Sequence, residues 1–167
     1  MPGLLKAGRL VERPVEVVLA EAGFESAVGA QHCEWDRCRY GAAHVPYAAV
    51  RGGGLPWAEV PGWLAGAAVV IVPSLRETFG LVALEAMSVG TPVVAYDVGN
   101  LPALLGTGDN AGGVLVPRCW GEQGLWSATT NVLTDPLRYA DLSRAAYYRS
   151  RDYQPATVAE NFVKAVR

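Results

Sequence analysis

The chain has 167 residues, 51% hydrophobic and 18% charged, with a formal net charge of −2. A chain of this length buries about 70% of its accessible surface without disulfide staples, and near-neutral charge excludes the strongly basic face of a phosphate-backbone binder. The hydrophobic share excludes disorder, and 19 Gly with 11 Pro suit a tight-looped α/β domain better than a coiled coil.

The first fourteen residues, MPGLLKAGRLVERP, meet charges too early for the apolar core of a signal peptide. The longest apolar run, residues 65–73, is about half the roughly 20 residues of a membrane span. Cys33, Cys38 and Cys119 make an odd set, expected to be reduced thiols. The chain is therefore expected to be cytoplasmic. Residues 15–21 (VEVVLAE) fit a strand or one helix face equally. Residues 24–54, with Trp35, Gly52, Gly53 and Gly54, read as loop-rich. Within them His32, Cys33, Cys38 and His44 match no standard zinc spacing, so no metal is expected.

From residue 55 the pattern sharpens. Residues 56–66 predict a short helix broken or restarted at Pro61. Residues 68–72 (AVVIV) form a β-branched run without polar alternation, as in a parallel strand covered on both faces. Residues 81–89 predict a helix stopped by Gly90, residues 91–96 (TPVVAY) a second buried strand, residues 97–102 a turn, and residues 113–117 a third strand. Helices follow over about 121–134, 136–150 and 155–167, the last two opening on Pro136 and Pro155. Strand, loop, helix, strand is the βαβ unit, so the fold class expected is α/β with a Rossmann-like, doubly wound parallel sheet. The scattered Trp35, Trp57, Trp63, Trp120 and Trp126 read as packing residues. Tyr147, Tyr148, Arg149 and Arg151 read as a helix surface.

The chemistry is concentrated in residues 73–87, PSLRETFGLVALEAM. This loop leaves the carboxyl end of a parallel strand, where open α/β sheets bind ligands. The following helix starts near Gly80, and its first N–H groups suit a phosphate or sugar hydroxyls. Gly80 admits close backbone approach. Glu77 and Glu85 supply carboxylates that accept several hydrogen bonds from vicinal hydroxyls.

These residues resemble the E-x7-E signature of the retaining glycosyltransferases of the GT-B fold, family 4. Pro73-Ser74 is similar to the family's strand end, Glu77-Thr78-Phe79-Gly80 to its E-x-F-G loop, and Leu84-Glu85-Ala86-Met87 to its L-E-A-M helix. Gly90-Thr91-Pro92-Val93-Val94-Ala95 and Gly113-Val114-Leu115-Val116-Pro117 are similar to its G-x-P-V-V-A and G-x-L-V-P strands. The resemblance covers roughly residues 55–167. It implies that the donor sugar is held by Glu77, the catalytic candidate, that Thr78, Phe79, Gly80 and Leu81 face sugar and diphosphate, and that Glu85 holds the ribose. Gly8-Arg9-Leu10 is similar to half of the G-R-L…K-G diphosphate grip. Arg13-Pro14 stands one residue early in place of Lys-Gly, so Arg9 and Arg13 are the candidate cations. In the G-G-x-P-E turn, Asn100 replaces the second Gly and Ala103 replaces the Glu.

The resemblance implies one donor-binding domain over residues 1–167, with 1–54 a divergent or shortened part and 55–167 the motif-bearing part. It implies transfer of a hexosyl unit from a UDP- or GDP-sugar with retention, no metal and no cofactor beyond the nucleotide-sugar substrate. GT-B chemistry occurs between two such domains, so an acceptor-binding domain is expected elsewhere, and the isolated chain is expected to transfer little sugar. The competing readings are a degenerate nucleotide-sugar-binding module and a GT-B epimerase or phosphorylase fragment.

Overall fold

The computed structural model describes residues 17–20, 48–51 and 56–166. Contacts gather into two units, Met1–Val60 and Pro61–Arg167. In the first, β1 (Val17–Ala20) pairs in parallel with β2 (Ala48–Arg51), Val17 opposite Ala48 and Ala20 opposite Arg51. Residues 15–21 thus contain a strand rather than a helix. The segment read as loop-rich holds a strand at residues 48–51, because Ala-Ala-Val-Arg is too short to show a period.

A 3-10 turn (Trp57–Glu59) runs directly into α1 (Val60–Ala65). Pro61 lies in the first helical turn, where an amide hydrogen has no partner to lose, so it does not break the segment. Then follow β3 (Val70–Val72), α2 (Leu81–Ser88), β4 (Val93–Tyr96), α3 (Leu101–Leu105), β5 (Gly113–Val116), α4 (Gly121–Thr134), α5 (Pro136–Ser150) and α6 (Pro155–Ala165). The sheet order is β3-β4-β5, all parallel, with Val70 opposite Val93 and Val93 opposite Gly113. This is the expected Rossmann-like α/β architecture.

The order of burial explains the order of strands. Val93, Val94, Ala95 and Tyr96 are all buried. Successive strand side chains point to opposite faces, so β4 is covered on both. Met87 of α2, Leu101, Leu104 and Leu105 of α3, and Leu125 and Val132 of α4 complete the core. Gly90, at φ +77, ends α2, and the N–H of Thr91 returns to the Ala86 carbonyl at 3.0 Å. Asp135 caps α5 by accepting from the Arg138 N–H at 3.0 Å.

Two expectations change. The turn predicted over residues 97–102 is shorter, because α3 begins at Leu101 with Pro102 inside its first turn, where proline's fixed φ is already helical. Of the tryptophans read as packing, Trp126 is buried, whereas Trp57 and Trp120 are 79% and 64% exposed. Arg149, read as a surface residue, instead fastens α5 to α3. Its Nε and a terminal nitrogen donate to the carbonyls of Leu104 and Ala103 at 3.1 and 2.8 Å.

Gly113 marks the tightest point of the sheet. A Cβ there would stand 2.5 Å from the Val93 carbonyl oxygen on the neighbouring strand. Gly113→Ala is therefore expected to lower stability by about 1–3 kcal/mol, as overpacking does. Urea unfolding measures it, and an unchanged midpoint would contradict this close packing.

Candidate functional site

Parallel pairing puts the carboxyl ends of β3 and β4 side by side. The loop after β3, residues 73–80, and the turn after β4, residues 97–100, therefore emerge together. They touch at backbone level, since a Cβ on Gly99 would fall 1.8 Å from the Glu77 carbonyl oxygen. Gly99 also has φ +56, a left-handed conformation that glycine adopts without strain. Asn100 adds a hydrogen bond from its Nδ2 to the Phe79 carbonyl at 3.4 Å.

Glu77 is half-buried, and its Oε1 accepts from the N–H of Thr78 at 3.0 Å and of Gly80 at 3.2 Å. The carboxylate thus caps the loop that opens α2 and places a negative charge at the positive end of that helix. Its Oε2 has no hydrogen-bond partner among the described residues. Gly80 is buried at φ +91 and turns the chain into the helix. A Cβ there would press on the Leu101 side chain at 2.8 Å. The Gly80 N–H is taken by Glu77. The N–H groups of Leu81 and Val82, in the first turn of α2, have no acceptor among the described residues. Thr78 is exposed, and Phe79 is 37% exposed with its ring edge-on to Tyr153, centroids 5.8 Å apart.

Glu85 lies one turn further on. In α2 the side chains of Ala83, Ala86 and Met87 face the core, while Leu81, Val82, Glu85 and Ser88 form the outer face. Glu85 is half-buried, and desolvation raises its pKa above the ordinary 4.5. At the end of β4 the buried Tyr96 phenol is also raised, first by burial and then by the Glu122 charge, with Arg118 opposing. It therefore stays protonated, a donor rather than an anion, at neutral pH.

The structure brings Glu77, Thr78, Phe79, Gly80, Leu81 and Glu85 together around one helix start. Arg9 and Arg13 lie outside the described residues, as do His32, Cys33, Cys38 and His44. Among the described residues no cluster of three or more His, Cys, Asp or Glu is placed to hold a metal, and no helix is long and apolar enough to cross a membrane. Sequence reasoning missed the ring contact of Tyr153, which comes from a distant helix end and leaves no local signal. A cavity of about 600 Å³ opens elsewhere, lined by Gly106, Asp109, Val114, Arg138 and Asp141. It sits beside the amino end of β5, away from the carboxyl edge where parallel sheets bind ligands.

The fold and the helix-start site define the class, a Rossmann-like α/β domain with a ligand edge at the carboxyl ends of its strands. A family profile described as "Glycosyl transferases group 1" matches residues 7–135. The chain belongs to the group 1 glycosyl transferases, and its fold is that of a GT-B carboxy-terminal domain. It is 33% identical to the D-inositol 3-phosphate glycosyltransferase of Kribbella flavida over 96% of this chain and 38% of that one. A shorter match, 40% identical over 57% of this chain and 22% of the relative, is to the protein of that name from Arthrobacter sp. (strain FB24). The chain thus spans well under half the length of these relatives. Among solved structures it is similar to Anabaena HepE in complex with UDP, with a TM-score of 0.77 and 21% identity over 98% of this chain and 43% of that one. It is also similar to sucrose-phosphate synthase from Thermosynechococcus elongatus, at 0.71 and 23% over 98% and 42%.

The raised Glu85 pKa fixes a sign. The folded protein keeps the Glu85 proton to higher pH than the unfolded chain does. Above 4.5 the folded state therefore binds more protons, and stability falls as pH rises through that window. Glu85→Gln cannot ionise. It is expected to unfold at higher urea than the wild type at neutral pH, with the difference shrinking as pH drops toward 4.5. A difference that does not vary with pH would contradict the desolvated carboxylate.

Proposed function

We propose that this chain is the donor nucleotide-sugar-binding domain of a retaining glycosyltransferase that moves a hexosyl unit from a UDP- or GDP-sugar to an acceptor. The observation that carries the reading is the helix start at the carboxyl end of β3, flanked by Glu77 and Glu85. A diphosphate suits the N–H groups of Leu81 and Val82, which have no acceptor among the described residues, and the positive end of α2. Glu85, on the outer face of the same helix, accepts from the ribose hydroxyls when ionised. Oε2 of Glu77, without a partner among the described residues, accepts from hydroxyls of the donor sugar. Anabaena HepE, whose fold this chain shares, was solved with UDP.

In the proposed reaction the bond between the anomeric carbon and the diphosphate oxygen breaks, and an acceptor hydroxyl oxygen bonds that carbon on the same face as its proton passes to the leaving diphosphate oxygen. Negative charge grows on the leaving diphosphate. N–H groups already aimed at that position stabilise it without reorganising. Arg9 and Arg13 are proposed to add positive charge there. The reading requires no metal or separate cofactor. A second domain or chain, equivalent to the remaining length of the relatives, would bind the acceptor, and the reaction is placed in the cytoplasm.

A binding module without catalysis is the second reading. It is favoured by Ala103, which presents only a methyl group and whose carbonyl is occupied by Arg149.

Calorimetric titration with UDP, GDP and their hexosyl forms tests the proposal. At least one is expected to bind saturably, and Glu85→Ala is expected to weaken it roughly 10- to 100-fold, the range for hydrogen bonds to a charged group. Affinity is expected to rise with pH as Glu85 ionises. A wild-type chain that binds none of these ligands would overturn the reading.

A further inference from the structure

We infer that Asn100 and Tyr153 are positioning residues that hold the peptide unit between Phe79 and Gly80, and with it the direction of the Gly80 N–H. The inference rests on the donor-site reading above. A peptide unit is planar, so fixing its carbonyl fixes its amide hydrogen. In this unit the Phe79 carbonyl accepts from Asn100 Nδ2 at 3.4 Å, while the Gly80 N–H donates to Glu77 Oε1 at 3.2 Å. The plane is therefore gripped at both ends, by one side chain from the β4 turn and one from its own loop.

The two grips differ in what a ligand does to them. Glu77 is itself a candidate sugar ligand through Oε2, and any turn of its carboxylate toward a sugar hydroxyl loosens the hold of Oε1 on the Gly80 N–H. Asn100 keeps its hold on the carbonyl through that exchange. The N–H then stays aimed at the site instead of turning away with a freely rotating peptide. The backbone makes such a hold necessary, because Gly80 at φ +91 has no side chain to restrict its neighbouring peptides. Tyr153 does the same for the Phe79 side chain. Its ring meets Phe79 edge-on at 5.8 Å and an interplanar angle of 79°, a favourable aromatic geometry. Phe79 is thus held at its carbonyl by the sheet edge and at its ring by the segment that follows α5.

The test compares Asn100→Asp, Asn100→Ala, Tyr153→Leu and Tyr153→Phe in the full chain. UDP affinity, Gly80 amide hydrogen exchange and the urea midpoint are measured for each. Asn100→Asp keeps the shape but turns the donor into an acceptor facing a carbonyl, and Asn100→Ala removes the donor without adding charge. Both are expected to weaken UDP roughly two- to tenfold, the range for one hydrogen bond, and to speed Gly80 exchange at an unchanged midpoint. Tyr153→Leu is expected to weaken UDP by a similar factor, and Tyr153→Phe, which keeps the ring, to stay within about twofold of wild type. Wild-type affinity and unchanged Gly80 exchange in both Asn100 variants would overturn the inference and leave the donor site standing. Affinity losses that only accompany lowered midpoints would overturn it too. A wild type that binds no UDP, GDP or hexosyl derivative overturns both.

Discussion

The absence of a side chain at Gly99 is the constraint on which the site depends. The β4 turn lies so close to the β3 loop that a single added carbon would overlap the Glu77 carbonyl oxygen. That approach puts Asn100 within reach of Phe79 and starts α3 one residue later. The far end of α3 is tied to α5 by Arg149, and Gly106 lets the guanidinium come close. From the end of α5 the chain reaches Tyr153, whose ring returns to Phe79. The contacts close a circuit, from loop to turn to helix to helix and back to the loop.

This circuit explains how an exposed loop can be preorganised. Loops at a sheet edge are mobile when only their own backbone holds them. Here Glu77 caps the loop from within, and three distant segments hold it from outside. The capping carboxylate plays two parts, since one oxygen secures the helix start and the other has no partner among the described residues. In the proposed donor site, a sugar hydroxyl bound by Glu77 would also alter the N–H groups beside it, coupling recognition of the sugar to presentation of the amides proposed to face the diphosphate. Glu85 contributes from the outer face of the same helix, where partial burial makes its ionisation costly in the empty protein. A ligand offering hydroxyl donors to the carboxylate reverses that preference.

Much of this was legible in the sequence because the informative elements were strongly patterned. The apolar runs at residues 68–72 and 91–96 announced a parallel sheet. Pro136 and Pro155 marked helix starts to the residue, and Glu77, Gly80 and Glu85 placed the candidate site on one loop and helix. What was hidden arises between segments far apart in the chain. No local period shows that Arg149 caps α3 or that Tyr153 meets Phe79, because both contacts exist only after the helices pack. The start of α3 was obscured by Pro102, which signals a turn as readily as a first helical turn. Asn100 was visible as a departure from the family turn, but its partner carbonyl was not.

Amide resonances of the chain, followed as UDP is added, test the central claim most directly, since each N–H in the loop reports its own surroundings. If the helix start is the ligand site, the largest changes fall on Gly80, Leu81 and Val82, with smaller ones at Gly99 and Asn100. Changes confined to the cavity beside Arg138 and Asp141, or no changes at all, would contradict it.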